Sequence, residues 1–129
     1  MKLGYTIIYV PDVAASLAFC EQAFGLTRRF LHESGTYGEL DTGETTLSFA
    51  AHELGDANFP GGHVAAHTST QPLGFEIGLV TSDVAGAVSV AAGAPPSELR
   101  SVSAPFSAKA AGAIKIRQSR KRIDQPPNT

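Results

Sequence analysis

Two stretches of the chain say nearly the same thing 71 residues apart, counted from Asp12 to Asp83. Residues 4–18 read GYTIIYVPDVAASLA and residues 74–94 read GFEIGLVTSDVAGAVSVAAGA. Each is a glycine, an apolar run with strand residues, a short break and Asp-Val-Ala ahead of a helix-forming segment. A chain of 129 residues, 43% apolar, has material for one ordinary core. Two long copies inside one such core predict two similar halves closing on each other. A stacked solenoid is excluded, because it needs about three repeats or more.

The first copy can be read element by element. Lys2 to Val10 is β-branched and aromatic and stops at Pro11-Asp12, which predicts a strand. Asp12 is a good N-cap, and Val13, Leu17, Cys20 and Phe24 follow at helical spacing until Gly25. TRRFLHES alternates imperfectly, Gly35 turns, TYGELDT alternates, Gly43 turns, and ETTLSFAAHE forms a further strand. Residues 1–54 are thus a βαβββ module. Residues 55–73, rich in Gly, Pro and small polar residues, read as a linker or long loop. Residues 74–129 begin a second module that copies the first as far as Ala94. Beyond it only AIKIRQ, residues 113–118, alternates as a strand.

This paired βαβββ pattern resembles the vicinal oxygen chelate superfamily of glyoxalases, bleomycin-resistance proteins and extradiol dioxygenases. The residues that carry the resemblance are Val10, Asp12, Val13, Ser16, Phe19, Gly25 and Leu26; Cys20 stands where the family has tyrosine. The implied fold is α+β: one domain over 1–129, with two curved half-sheets around a cavity, the second atypical or incomplete. The resemblance also implies a homodimer. Its C-terminal pattern, a strand after Asp-Pro-x-Gly, is replaced here by basic, proline-bearing sequence of the kind a frameshift or recombination leaves.

Alternation puts Tyr5, Ile7 and Tyr9 on one face of the first strand, and Ile8 and Val10 on the face under the helix. The same count turns Glu76, Gly78 and Val80 inward from the second copy. Metal-dependent relatives carry His, Gln or Glu at positions that map here onto Tyr5, Ser48 and Glu76, with no identifiable fourth. One carboxylate does not satisfy a divalent ion, which needs three or four converging donors. No cofactor and no metal are therefore expected, and the site reads as a binding cavity. Its expected lining is Tyr5, Ile7, Tyr9, Tyr37, Glu39, Ser48, Glu76 and Gly78, suited to a cationic, partly aromatic compound. An enzyme of the same superfamily, a lyase or a dioxygenase, is the rival reading. It works either through a divalent metal or with a buried Glu76 as general base.

The other chemistry-bearing residues read as structure. His63 and His67 have metal-like i, i+4 spacing but lie in a Gly/Pro-bounded loop, so they are expected at the surface. His52 and Glu53 end a strand. Cys20, spaced with Leu17 and Phe24, belongs to the core. Residues 1–99 carry 3 basic and 11 acidic side chains, and residues 100–129 carry 7 and 1. The basic tail raises a nucleic-acid reading, but it has neither interleaved aromatics nor a recognition helix. The early apolar run breaks at Pro11 after eight residues, and no run reaches the roughly 20 residues of a membrane span. A cytoplasmic protein without a membrane segment is expected.

Overall fold

The computed structural model describes residues 1–70, 73–94, 102–103 and 113–116. The first module is strand β1 (Tyr5–Val10), helix α1 (Val13–Phe24), and strands β2 (Thr27–Leu31), β3 (Tyr37–Asp41) and β4 (Thr46–Ala51). These form a curved, unclosed sheet in the order β1-β4-β3-β2. β1 runs parallel to β4, and the hairpin partners are antiparallel. The β-strand begins at Tyr5 rather than at Lys2 as the apolar pattern suggests.

Helix α1 starts where expected. The Asp12 carboxylate accepts from the backbone N–H of Ala15 at 2.9 Å and satisfies one of the orphan donors of the first turn. Gly25, at φ 65°, ends the helix in the left-handed conformation; its N–H returns to the Glu21 carbonyl at 3.1 Å and the Leu26 N–H to that of Cys20 at 3.5 Å. The helix buries Val13, Ser16, Leu17, Phe19, Cys20 and Ala23. They pack against Ile8, Val10, Leu40, Leu47 and Phe49 on the convex face of the sheet. The approach is close because Gly38 of β3 has no side chain. A Cβ there would lie 2.6 Å from Leu17 Cδ1 and 3.2 Å from the Phe30 carbonyl oxygen.

The chain then departs from the expected linker. Residues His52–Asn58 form a short helix, α2, and Ala66–Thr68 a single 3-10 turn packed against β1. The strand expected to run on to Glu53 stops at Ala51, because Glu53 in the first turn of a helix favours its positive end. Phe59 and Pro60 end the helix.

The second module contributes β5 (Ile77–Val80), α3 (Val84–Gly93), β6 (Val102–Ser103) and β7 (Ala113–Ile116). Asp83 caps α3 as Asp12 caps α1, accepting from Gly86 N–H at 2.9 Å. Helix α3 packs on α1, with Ala91 in the shared core. Strand β7 falls within AIKIRQ, as the alternation predicts. The sheet order is β5-β7-β6, and β7 runs antiparallel to β5. In the first module the corresponding pair is parallel. The tail that prompted the nucleic-acid and frameshift readings lies, apart from β6 and β7, outside the described residues.

Candidate functional site

The first half-sheet has two unlike faces. Its convex face is apolar and covered by α1, whereas its concave face carries Tyr5, Ile7 and Tyr9 on β1, Thr46, Ser48 and Ala50 on β4, and Tyr37, Glu39 and Asp41 on β3. Pairing aligns these in rows: Ile7 beside Ser48 beside Glu39 beside Phe30, and Tyr9 beside Ala50 beside Tyr37. Six of the eight residues expected to line the site thus share one surface.

That surface has a polar floor and open aromatic edges. Glu39 and Ser48 are buried, Ser48 to 0% exposure, while Tyr5 is 57% and Ile7 46% exposed. The Tyr37 hydroxyl lies 2.9 Å from Glu39 Oε1 and 3.1 Å from Ser48 Oγ. Burial first, and then the Glu39 carboxylate, raise the Tyr37 phenol above its ordinary range, against an opposing pull from Ser48. The phenol is therefore a proton donor to the carboxylate.

Arg29 completes the floor, and the sequence pattern did not single it out. Its Nη1 donates to Thr46 Oγ1 at 2.7 Å and to Glu39 Oε2 at 3.5 Å, and its Nη2 donates to Asp41 Oδ1 at 3.3 Å. A register shift between Arg28 and Phe30 makes this possible. The extra residue lets both Arg29 and Phe30 serve the concave side, where Phe30 meets the Tyr37 ring at 5.8 Å. Arg28 instead reaches Glu21 on α1 at 2.7 Å. The signal was present in TRRFLHES, whose alternation fails at the bulge.

Glu76 and Gly78 stand elsewhere. Both are exposed, Glu76 just ahead of β5, and both line a pocket of about 480 Å³ with Thr6, Thr46, Leu47 and Phe75. Tyr5 does not line it. The burial on which a general-base role for Glu76 depends is absent. The family's metal positions offer a phenol at Tyr5 and a hydroxyl at Ser48 already within reach of Tyr37. In register Tyr5 lies beside Thr46 and not beside Ser48. This donor set does not fit a divalent ion. Cys20 is fully buried, with its thiol pushed up to about 12 by burial and then by Glu21, so it is held as an inert core thiol.

At one end the concave face is walled by residues expected at the surface. Tyr9 meets the His63 ring at 5.1 Å and Phe59 edge-on at 5.8 Å, and its hydroxyl accepts from Asn58 Nδ2 at 3.2 Å. His63 and His67 both join His52: Nδ1 of His52 lies 2.9 Å from Nε2 of His63, and Nε2 of His52 lies 3.3 Å from Nδ1 of His67. Helix α2 folds the loop back over the sheet end and so removes these rings from open solvent. Gly55 leaves the space, since a Cβ there would lie 2.6 Å from the His63 ring. Among the described residues no three His, Cys, Asp or Glu side chains form a group able to hold a metal ion. Nor is any described helix long and apolar enough to cross a membrane.

A family model, the Glyoxalase/Bleomycin resistance protein/Dioxygenase superfamily, matches residues 2–85, well over half of the chain. No curated protein matches it.

Proposed function

Because the chain belongs to the glyoxalase, bleomycin resistance protein and dioxygenase superfamily, we propose that its concave face binds a small, cationic and partly aromatic compound. It binds without a metal and without turning the compound over, in a cytoplasmic homodimer. The observation that carries this reading is the pairing of exposed Tyr5 and Ile7 with a buried, hydrogen-bonded floor of Tyr37, Glu39 and Ser48. A floor whose polar groups are already partnered needs no reorganisation when a ligand arrives, and the open aromatic edges supply its contact area. The charge has the right sign, because Glu39 and Asp41 outnumber Arg29 by one. A cation over Tyr5 or Phe30 meets π-faces and a carboxylate together. Binding is favoured over reaction because the carboxylate of this face, Glu39, is already engaged by the Tyr37 hydroxyl and by Arg29, and the Tyr37 phenol beside it is raised and so holds its proton.

The test is a ligand-detected NMR screen of cationic aromatic compounds, with each hit recovered and analysed after incubation. Hits are expected to come back unaltered, and Tyr5→Ala is expected to weaken them about tenfold, the loss of one aromatic contact. Hits indifferent to Tyr5→Ala, a transformed compound, or stoichiometric divalent metal in the purified protein would each overturn this reading. Light scattering of the purified protein tests the dimer; a monomer mass overturns that part.

A further inference from the structure

We propose that the pocket between the two modules is a second binding site, separate from the concave face, and that it takes a neutral, ring-shaped polyhydroxylated compound of the sugar class. Its volume of about 480 Å³ lies inside the roughly 300–1,000 Å³ of small-molecule sites. The segment DTGETTLS, residues 41–48, supplies one wall: Thr42 and Thr45 in the turn between β3 and β4, then Thr46 and Leu47 at the start of β4. Thr6, beside Leu47 in the pairing of β1 with β4, extends that wall. The other wall is β5 and its approach, with Phe75, Glu76, Ile77 and Leu79. Of the residues placed on the concave face, only Thr46 also lines this pocket.

The hydroxyls of the threonine wall are committed in different directions. Each can give one hydrogen and accept two. Thr42 donates to the Thr45 carbonyl at 2.6 Å and accepts from the Leu47 N–H at 2.9 Å, which holds the turn closed. Thr45 donates to the Leu3 carbonyl at 2.9 Å, so it faces a ligand as an acceptor. Thr46 is the reverse: it accepts from Arg29 Nη1 at 2.7 Å and keeps its own O–H to give. The half-buried Thr6 hydroxyl has no hydrogen-bond partner among the described residues and can do either. Opposite them, the Glu76 carboxylate has about four lone-pair positions, so it can accept from a ligand alongside its other interactions.

This mixture of donors and acceptors selects the ligand. A cation would satisfy Glu76 and leave the Thr6 and Thr46 donors unanswered. An anion would meet the Glu76 charge, and no lysine or arginine lines the pocket. Hydroxyl groups donate and accept, so neighbouring hydroxyls on one ring answer both kinds of group. The apolar lining agrees with a ring. Phe75 is 48% exposed, and the negative face of its π-system suits the weakly positive C–H groups on the flat side of a sugar. Ile77 packs against the core, and α3 packs on α1, which holds the two walls at a set separation.

The experiment is saturation-transfer NMR on the full chain with methyl glycosides of the common hexoses, followed by titration of the strongest. At least one is expected to bind with a millimolar Kd, with transfer strongest at ring C–H protons. Phe75→Ala is expected to weaken it about tenfold. Thr6→Val, which keeps the branched shape and removes the hydroxyl, is expected to weaken it about fivefold, the loss of one hydrogen bond. Tyr5→Ala, on the concave face, is expected to leave it unchanged. The proposal fails if no glycoside shows transfer up to about 50 mM, if binding is indifferent to both Phe75→Ala and Thr6→Val, or if a cationic aromatic compound competes for the same site. Both substituted side chains are at least partly exposed, and neither is in the core cluster, so the variants are expected to fold; amide spectra check this. The result is independent of the concave-face reading, whose own variant is Tyr5→Ala.

Discussion

Replacing Arg29 with methionine removes the cation that faces Glu39 from the described residues and leaves a carboxylate whose side chain is only 11% exposed. At 3.5 Å the gross attraction is about 5 kcal/mol for an effective dielectric of about 20. Arg29 is itself 40% exposed, so solvent reduces the net value to about 1–2 kcal/mol. The 2.7 Å bond to Thr46 adds about 1 kcal/mol, and the pairing with exposed Asp41 adds almost nothing. Arg29→Met is therefore expected to cost about 2–3 kcal/mol. Glu39→Gln still accepts from Tyr37 and is expected to cost about 1 kcal/mol. The double variant no longer buries an unpaired charge, so it is expected to be no worse than Arg29→Met alone, with a coupling of about 1–1.5 kcal/mol. Urea melts followed by tyrosine emission measure this, and Arg29→Met should lower the midpoint by about 1 M or more. A coupling below about 0.5 kcal/mol would refute the reasoning. The trio would then be a screened surface cluster, and the concave floor would lack the preorganisation on which the binding reading depends.

The phenol of Tyr37 is raised, so the folded state holds that proton more tightly than the unfolded chain does. Its contribution to stability is present below about pH 10, the ordinary tyrosine value, and is lost as pH rises through the folded value. Phenolate absorbance should show a late-ionising tyrosine that disappears in Tyr37→Phe, and an unchanged titration would contradict this assignment. Gly38→Ala should cost about 1–3 kcal/mol, because the new methyl meets Leu17 in a filled core; a neutral result in a thermal melt would mean that α1 can lift off the sheet. Labelling of Cys20 by a thiol reagent at about pH 8 should proceed only as fast as the chain unfolds, since the thiol is fully buried and protonated. Rapid labelling of the native protein would argue against that burial.

Most of the first module is visible in the order of residues alone, because each element there agrees with its neighbours. Asp12 begins the helix, Gly25 ends it, and strict alternation over Tyr5–Val10 separates the buried Ile8 and Val10 from the exposed Tyr5 and Ile7. The concave face could be read the same way, since Glu39, Ser48 and Tyr37 follow from period two. What could not be read was set by contacts distant in sequence. Arg29 reaches the floor through a bulge that depends on how β2 pairs with β3. The three histidines meet because α2 reverses the chain and Gly55 leaves a space, and both are invisible to a spacing rule applied to His63 and His67 alone. Glu76 was aligned with Tyr5 by the repeat, yet β7 runs antiparallel to β5 where β4 runs parallel to β1, so the two described sheets do not share a plan.

The opposite direction of the two edge pairs makes the two described sheets unlike at their ends. At the close of the first module Ala51 stands beside Val10, so the polypeptide leaves its sheet at the end where β1 finishes, and there it builds α2 and the histidine chain. In the second module Ile116 stands beside Ile77, so β7 finishes at the end where β5 begins. Two heads alike in sequence therefore lead to edge pairs of opposite direction, so the likeness of the two halves ends with the capped helices.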